Sequence, residues 1–428
     1  MRKQFSKISQ ISGEVSLPGD KSMSHRSLLF AALAEGTSTI KNLLESEDVQ
    51  TTQECLRKLG VKIWQEGETY FVEGAGKNGF KEPGKPLYCG NSGTTTRLIS
   101  GILAAQNFPT ILTGDDSLSK RPMKRVIDPL SKMGCNFENN EKQTLPLKII
   151  PSGEINPIDY HLKVASAQVK GAILLAGLHS KGITSVIEDT LITRDHTERM
   201  LNLSFEETDG RKITKVSSSN FPKRSDYFVP GDFSTAAFFI VLGLIIPDTN
   251  LVLKNVSLNK TRIPLVDVLK GMGGNIMIEK TGETNNEPYG NIHISGSELK
   301  NIQIDKKIIP AIIDEIPILS IAGIFAEGDF EIRGAEELRV KESDRIKSII
   351  SNIEKTGLKI KEYDDGFTIT GKMNNQSCTF ESYGDHRIAM AFAILSSLIE
   401  QGGEVNDFEC AAVSNPRFIE QLGSIKSQ

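Results

Sequence analysis

The chain has 428 residues, and its 50 lysines and arginines stand against 54 aspartates and glutamates, for a formal net charge of −4. This balance argues against a general nucleic-acid-binding protein, whose domains usually carry a basic excess. No apolar run approaches the roughly 18 residues of a membrane-spanning helix, and the five scattered cysteines contain no C-x-x-C pair. We therefore expect no membrane partner, no zinc and no disulfide framework, but a cytoplasmic enzyme of mixed α/β type.

Apolar helices recur along the chain, with starts 65 to 83 residues apart. Each opens with small or cap-forming residues and continues with apolar residues on most faces, which predicts buried helices. Free N–H groups at such helix starts attract anions if the starts converge. The predicted helices are residues 20–36, 91–106, 166–178, 231–244, 314–328 and 384–398.

A second series, made of short recurring sequence motifs, predicts the ends of other helices. Each copy places a glycine where a helix ends and a strand follows. Glycine suits this C′ position, since it adopts positive φ without strain. The copies lie at residues 56–63, 130–137, 269–276 and 353–360, with degenerate ones near Met200–Ser204 and at Gly423. The two series together predict six βαβ-containing units of about 70 residues, and we expect three in each of two lobes that face a cleft.

The first buried helix opens with the motif LPGDKSMSHR, at Leu17–Arg26. Asp20 or Ser22 can cap the helix, which places Lys21 at its positive end. Arg26 follows Ser22 by four residues and shares its helix face. A lysine, a serine hydroxyl and an arginine together suit a phosphate or a carboxylate.

The next motifs also predict anion binding. CGNSGTTTRL places Gly93 at a helix start, where an anionic ligand can approach the backbone closely. It is not a Walker motif, because no Lys-Ser/Thr pair follows. The strip LSKRPMKRV has four cations in six residues. We interpret Arg121, held by Pro122, as a partner for a carboxylate or phosphate, and a solvated basic surface is the alternative.

Two motifs in the middle of the chain offer further polar groups. VASAQVKG presents Ser166 and Gln168 as neutral hydrogen-bonding groups for a hydroxylated substrate. TRDHTERM adds Arg194 and Arg199. For Arg199 we expect a surface ion pair with a neighbouring carboxylate.

The acidic candidate site residues lie in the last third of the chain. Asp314 and Glu315 lie in the apolar segment IIDEIPIL, and such carboxylates are usually paired or functional because unpaired burial is costly. In ELRVKESDRIKS, Lys341 and Arg345 are one helical turn apart, with Glu342 between them. The last buried helix begins with a charged trio, Asp385, His386 and Arg387.

In this order, the motifs resemble the 5-enolpyruvylshikimate-3-phosphate (EPSP) synthase family of enolpyruvyl transferases over nearly the whole chain. The matching segments are PGDKSMSHR, GNSGTTTRL, the KRPM strip, SAQVKGA, TRDHTE, PGDFS, DEIPIL, RVKESDR and GDHRIAMA. The resemblance implies two lobes, each an inside-out α/β barrel of three βαβαββ repeats. It implies an N-terminal lobe of residues 20–232, a C-terminal lobe of residues 1–19 plus 233–428, and an active site in the cleft between them.

The resemblance also implies a reaction in the biosynthesis of chorismate and the aromatic amino acids. The 5-hydroxyl of shikimate 3-phosphate adds to C2 of phosphoenolpyruvate while C3 gains a proton, and the tetrahedral adduct then loses phosphate. Asp314 is implied as the proton acceptor near the hydroxyl, and Glu342 and Lys21 as groups that handle the C3 proton. The implied partners are these two small substrates, with no metal or organic cofactor and a monomeric enzyme.

The implied binding residues divide by substrate. For shikimate 3-phosphate they are Lys21, Ser22, Arg26, Ser166, Ala167, Gln168, Arg194, Asp314 and Lys341. For phosphoenolpyruvate they are Lys21, Gly93, Arg121, Gln168, Arg345 and Arg387. The chain departs from the better-known family pattern at Ala167, which can offer only its backbone, and at Val413, where many members carry a lysine.

Two alternatives stay open. UDP-N-acetylglucosamine enolpyruvyl transferases share the fold and the donor, but they use Lys-Asn where this chain has Lys21-Ser22. They also usually carry a loop cysteine, and the segment Asp115–Lys120 has none. The other alternative is a non-catalytic anion-binding relative, against which the intact Asp314 and Glu342 speak.

Overall fold

Helices and strands alternate throughout the computed structural model, which describes residues 1–189 and 193–426. The helices are α1 (Lys21–Leu33), α2 (Glu47–Lys58), α3 (Gly93–Leu103), α4 (Lys124–Lys132), α5 (Ala167–Gly177), α6 (His196–Met200), α7 (Phe233–Ile245), α8 (Pro264–Gly271), α9 (Ile309–Ile312), α10 (Ile316–Phe325), α11 (Arg345–Glu354), α12 (His386–Leu398) and α13 (Phe418–Ser424). The strands are β1 (Lys3–Phe5), β2 (Ser12–Ser16), β3 (Glu35–Lys41), β4 (Lys62–Glu66), β5 (Thr69–Ala75), β6 (Leu87–Tyr88), β7 (Thr110–Thr113), β8 (Asn136–Glu138), β9 (Leu147–Ile150), β10 (Asp159–His161), β11 (Thr184–Glu188), β12 (Phe205–Thr208), β13 (Arg211–Val216), β14 (Asp226–Phe228), β15 (Asn250–Ser257), β16 (Asn275–Thr284), β17 (Glu287–Ser295), β18 (Phe330–Ile332), β19 (Lys359–Tyr363), β20 (Gly366–Thr370), β21 (Cys378–Glu381) and β22 (Gly403–Asn406). In these described ranges no single helix is both long and apolar enough to cross a membrane, and only the pair Lys306–Ile312 and Ile316–Phe325, bent by 118°, meets the length and composition when taken together.

Six copies of one element order, βαβαββ, organise the chain. The first copy is β2-α1-β3-α2-β4-β5, and the next three repeat it in full. Among the described residues the fifth copy has no first strand, and a single parallel bridge joins Lys300 to Glu327 beside it. The sixth has no closing hairpin, and β1 pairs antiparallel with β22 instead. The predicted α/β class and its repeats are therefore confirmed.

The sheets show one strand exchange between copies. Four of the six sheets have four strands, with the orders β14-β3-β5-β4, β6-β7-β9-β8, β10-β11-β13-β12 and β16-β17-β15-β2. The two three-stranded sheets have the orders β18-β20-β19 and β1-β22-β21. In three of the six sheets the first strand of a copy pairs in parallel with the second strand of the same copy. However, β2 of the first copy pairs with β15 of the fourth, and β14 of the fourth pairs with β3 of the first.

The chain divides into two compact units that follow this exchange. The N-terminal unit comprises residues 19–229 and 283–287, and the C-terminal unit comprises residues 1–18, 230–282 and the chain from Pro288 onward. Each unit has its own hydrophobic core. In the first, α1, α3 and α5 lie inside, and in the second α7, α10 and α12 do, with nearly all their side chains buried. These are the six predicted helices, and each begins within two residues of its predicted start.

The predicted helix ends are confirmed at the four clear copies. Their glycines have φ between 82° and 101° and lie two or three residues after the last residue of a helix: Gly60, Gly134, Gly273 and Gly357. At one degenerate copy Asn202 takes the left-handed conformation instead, with φ of 50°. The prediction for Gly423 was wrong, because α13 continues through it to Ser424.

Two glycines allow α3 and α5 to approach each other closely. A Cβ added at Gly101 would lie 2.1 Å from the backbone oxygen of Ala172, and one at Gly171 would lie 2.6 Å from Cδ2 of Leu98. The first contact is with backbone, which has no flexible end to move aside. The spacing of the two helices therefore depends on the missing side chain at Gly101.

We predict that Gly101→Ala destabilises the protein, because overpacking costs about 1–3 kcal/mol. Helix propensity alone predicts the opposite sign, since alanine is favoured over glycine by about 1 kcal/mol in a helix. Urea denaturation of Gly101→Ala and of a control variant, Gly423→Ala, measures the change in the free energy of unfolding. At Gly423 an added Cβ in α13 meets no atom within 4 Å. The control should be neutral or stabilising, and equal behaviour of the two variants would contradict the packing argument.

Candidate active site

Side chains cap the three buried helices of the N-terminal unit. Asp20, Ser92 and Ser166 each accept a hydrogen bond from the backbone N–H three residues later, at 2.9, 3.1 and 3.4 Å. Of the two predicted caps of the first helix, Asp20 is therefore the one used. Because a cap sets where a helix begins, it also sets which residues lie at the positive helix end.

Lys21 and Arg26 are both held by neighbouring groups at the start of α1. Lys21 Nζ lies 3.1 Å from Asp48 Oδ2. Arg26 is buried, and it donates from Nε to Thr197 Oγ1 at 2.8 Å and from Nη1 to the backbone oxygen of Ser22 at 2.9 Å. Burial lowers the pKa of Arg26 to about 10, so the side chain remains a cation at neutral pH.

Gly93 lies beside two guanidinium groups at the start of α3. A Cβ added to Gly93 would be 2.7 Å from Nη1 of Arg97 and 3.5 Å from Nη1 of Arg121. Arg97 Nη1 donates to Gln168 Oε1 at 2.5 Å, and Arg121 Nη2 donates to Asn91 Oδ1 at 2.8 Å. The structure therefore brings three predicted residues, Gly93, Arg121 and Gln168, to one place.

Arg97 is a member of this group that sequence analysis missed. It follows Gly93 by four residues and so shares its helix face, which was the available signal. Near the middle of the chain, Arg194 is partly buried, and its charge adds to the effect of burial in lowering the pKa of Arg26. Arg199 Nε pairs with Asp195 at 2.9 Å, which confirms the predicted ion pair.

In the C-terminal unit one buried guanidinium holds three carboxylates. Arg345 is 1% exposed, and its distances are 3.2 Å from Nη1 to Asp314 Oδ1, 2.6 Å from Nη2 to Glu342 Oε2 and 2.7 Å from Nε to Asp385 Oδ2. Burial by itself lowers the pKa of Arg345, but the three carboxylates outweigh it and the net shift is upward. Arg345 is therefore a fixed cation around which acidic groups are arranged.

Two further cations surround Asp314. Lys341 Nζ lies 3.6 Å from Oδ1 and Arg387 Nη2 lies 3.8 Å from Oδ2. Arg387 also donates from Nη1 to the backbone oxygen of Asp314 at 3.1 Å. The Asp314 side chain is 15% exposed, so its carboxylate is partly accessible while three cations surround it.

The predicted helical spacing of Lys341 and Arg345 was wrong. Asp344 caps α11 by accepting from the N–H of Lys347 at 3.1 Å, so the helix begins at Arg345. Lys341 and Glu342 precede it in an irregular segment. The contact between Glu342 and Arg345 is therefore made across a helix start and not along a helix face.

A buried network lies behind Asp314. Glu315 is 1% exposed, and its Oε1 accepts from Ser234 Oγ at 2.5 Å and lies 3.6 Å from Arg387 Nη1. Arg262 Nη2 donates to the same serine hydroxyl at 2.7 Å. No sequence motif assigns a role to Ser234 or Arg262, because only the tertiary fold brings α7 to the start of α10.

We predict that Asp385→Asn lowers the free energy of unfolding by about 3–5 kcal/mol, the usual cost of removing one partner of a buried ion pair. Burial alone raises the pKa of the Asp385 carboxyl, but Arg345 outweighs it and the net shift is downward from 3.8. A carboxylate with a depressed pKa in the folded state contributes stability above its unfolded pKa and loses it as pH falls through the folded value. The difference in the free energy of unfolding between wild type and Asp385→Asn should therefore be constant near neutral pH. It should shrink when the pH falls below the pKa of this carboxyl in the unfolded chain.

Urea denaturation at a series of pH values measures this difference. Asp128→Asn is the control, because its pair with Lys124 on α4 is partly exposed and such pairs contribute only about 0.3–0.5 kcal/mol. If the loss of unfolding free energy in Asp385→Asn is small, or does not decrease at acidic pH, Arg345 does not depend on this carboxylate.

Comparisons with known proteins point to one family. The model of the family EPSP synthase (3-phosphoshikimate 1-carboxyvinyltransferase) matches residues 5–422. A 3-phosphoshikimate 1-carboxyvinyltransferase from Petrotoga mobilis is 46% identical over 433 aligned residues, with 100% of both chains covered. One from Salinibacter ruber is 44% identical over 429 residues, with 99% of both chains covered.

Solved structures show the same relationship. An EPSP synthase from Acinetobacter baumannii superposes with a TM-score of 0.88 at 39% identity, covering 100% of this chain and 99% of that chain. The enolpyruvyl transferase NikO from Streptomyces tendae has a TM-score of 0.78 at 15% identity and covers 100% of this chain and 97% of that chain, which shows a shared fold. This chain belongs to the EPSP synthase family.

Proposed function

We propose that this chain transfers the enolpyruvyl group of phosphoenolpyruvate to the 5-hydroxyl of shikimate 3-phosphate and releases phosphate, a step in aromatic biosynthesis. Family membership supports the reaction. The observation that carries it is the cluster around Arg345, where Asp314 and Glu342 are held beside Lys341 and Arg387. Such a cluster provides both acid–base groups and cations for anionic substrates.

Asp314 is our proposed acceptor of the hydroxyl proton. Its carboxylate is fixed by Arg345 and is partly exposed, so an incoming hydroxyl can reach it. Lys341, at 3.6 Å from Oδ1, is placed to bind the same substrate. Loss of the proton makes the 5-oxygen a better nucleophile toward C2 of phosphoenolpyruvate.

Glu342 and Lys21 are our proposed groups for the C3 proton. Addition at C2 requires a proton at C3, and elimination of phosphate from the tetrahedral adduct requires its removal. Glu342 is 27% exposed and held at 2.6 Å by Arg345, so it can face substrate without moving far. Lys21, held by Asp48, is the second candidate donor.

The remaining predicted residues bind the two substrates in this proposal. Shikimate 3-phosphate contacts Ser22, Arg26, Ser166, Ala167, Gln168 and Arg194 in addition to Lys21, Asp314 and Lys341. Phosphoenolpyruvate contacts Gly93, Arg121, Gln168, Arg345 and Arg387 in addition to Lys21. Arginine suits the phosphates and carboxylates of these substrates because its N–H groups match their geometry.

The direct test is phosphate release from phosphoenolpyruvate with shikimate 3-phosphate or with UDP-N-acetylglucosamine as acceptor. We expect release with the first acceptor only. Asp314→Ala and Lys21→Met should each slow turnover by at least about 10²-fold, the usual contribution of an acid–base group. Lys181→Met is the control, because Lys181 is exposed in the same unit as Lys21. Release with the UDP-sugar, or normal turnover in the two variants, would refute the proposal.

Arg121→Ala should raise KM for phosphoenolpyruvate by about tenfold or more, since a charged hydrogen bond contributes about 1.5–3 kcal/mol. KM for shikimate 3-phosphate should change much less. Initial rates with each substrate varied in turn measure both values, and Arg211→Ala, an exposed arginine in the same unit, is the control. Equal increases in both KM values would contradict the assignment of Arg121 to the donor.

We also propose that the enzyme is a cytoplasmic monomer. The five cysteines are free thiols in the structure, which suits a reducing compartment. Sedimentation velocity at micromolar concentration should give a species of 47.0 kDa. A heavier species that persists on dilution would overturn the monomer proposal.

A further inference from the structure

A buried ionic cluster in the N-terminal unit has no role in the proposed chemistry. Lys170 on α5 is 0% exposed, and its Nζ lies 2.8 Å from Glu188 Oε2 and 2.5 Å from Glu198 Oε1. Burial by itself lowers the pKa of Lys170, but Glu198 and Glu188 outweigh it and the net shift is upward. Lys170 is therefore a buried cation between two buried carboxylates, and none of the proposed substrate contacts uses it.

Glu188 connects this cluster to the residue before Arg194. Its second oxygen, Oε1, accepts from the backbone N–H of Thr193 at 2.9 Å and from the Thr193 hydroxyl at 2.7 Å. Both hydrogen bonds are buried. Because they hold the main chain of Thr193, they also set where the Arg194 side chain begins.

Glu198 connects the cluster to Arg26. It lies in α6 next to Thr197, whose hydroxyl accepts from Arg26 Nε at 2.8 Å. The Glu198 charge is also the strongest influence that opposes the lowering of the Arg26 pKa by burial. One lysine therefore anchors, through two carboxylates, the surroundings of both Arg26 and Arg194.

Stability alone is a poor explanation for such a cluster. Replacing buried ion pairs by apolar side chains of similar volume is often neutral or stabilising, because desolvation offsets the attraction between the charges. What the charges provide here is geometry, since Glu188 holds Thr193 by two hydrogen bonds and Glu198 ties α6, which carries Thr197, to Lys170 on α5. Preorganised groups bind substrate without a further cost of ordering.

We propose that Lys170, Glu188 and Glu198 form a positioning cluster that aims Arg194 and Arg26 at the phosphate of shikimate 3-phosphate. This rests on the proposed function, which assigns both arginines to that substrate. The three residues act through Thr193 and Thr197 and touch no substrate themselves. Weakening the cluster should therefore impair binding of the acceptor and leave the donor site unaffected.

The sharpest variant is Thr193→Val, which removes the hydroxyl hydrogen bond to Glu188 and keeps the backbone one and the side-chain shape. We expect KM for shikimate 3-phosphate to rise about tenfold, with KM for phosphoenolpyruvate and kcat within about twofold, since a hydrogen bond to a charged group such as the Glu188 carboxylate contributes at least about 1.5 kcal/mol. Thr193→Ser keeps the hydroxyl and should restore a near wild-type KM. Glu188→Ala removes both bonds and should have the larger effect if the variant folds.

Thr184→Val is the matched control. Thr184 is buried like Thr193, lies on the same strand as Glu188, and its hydroxyl makes no hydrogen bond within the described residues. It should leave both KM values unchanged. Thermal unfolding of all variants separates a loss of stability from a loss of acceptor binding.

The outcomes separate failure of the positioning proposal from failure of the proposed function. If wild type turns over and Thr193→Val lowers only the melting temperature, or raises both KM values equally, the positioning proposal is wrong. If wild type releases no phosphate, the proposed function fails, and calorimetry with shikimate 3-phosphate alone then tests the cluster. Weaker binding by Thr193→Val than by wild type supports the cluster in that experiment, and equal or absent binding overturns it.

Discussion

Charge that is taken out of water must be paired, and this constraint organises both sets of site residues. In the C-terminal unit Arg345 is almost fully buried and holds three carboxylates. In the N-terminal unit Lys170 is fully buried and holds two. Removing either cation would leave acidic groups unpaired in a low-dielectric interior, where such groups are strongly destabilising.

The same constraint explains how reactive groups can be both fixed and accessible. Asp314 and Glu342 are partly exposed, but the guanidinium that orients them is buried and cannot move with solvent. Their geometry is therefore set in advance of substrate binding, and preorganised charges of this kind stabilise transition states efficiently. Glu315 extends the arrangement inward, because it links Arg387 to the hydroxyl of Ser234.

The repeat architecture supplies the helix ends on which these groups lie. Three buried helices in each unit begin at polar, mostly capped positions, and small residues such as Gly101 allow two of them to pack closely. The first and fourth copies exchange their first strands: β2 of the first copy completes a sheet of the C-terminal unit, and β14 of the fourth copy completes a sheet of the N-terminal unit. The units are therefore not simply successive halves of the chain.

Sequence by itself determined the helices, the repeats and the family. Apolar periodicity and glycine at helix ends are local signals, so α1, α3, α5, α7, α10 and α12 and the turns after Gly60 or Gly357 could be predicted. The ordered motifs also identified Asp314, Arg121 and Arg345 as candidate site residues. Gly423 was mispredicted because the same local pattern also fits a helix interior.

Only the tertiary structure decided which charges meet. Glu188 and Thr193 lie close in sequence to Arg194, yet their link to Lys170 depends on how α5 packs on β11. Arg345 reaches Asp314 and Asp385 across 31 and 40 residues of chain, and Ser234 reaches Glu315 across 81. Sequence shows that a buried charge needs a partner, but distance in space selects the partner, because electrostatic attraction depends on separation and burial and not on chain position.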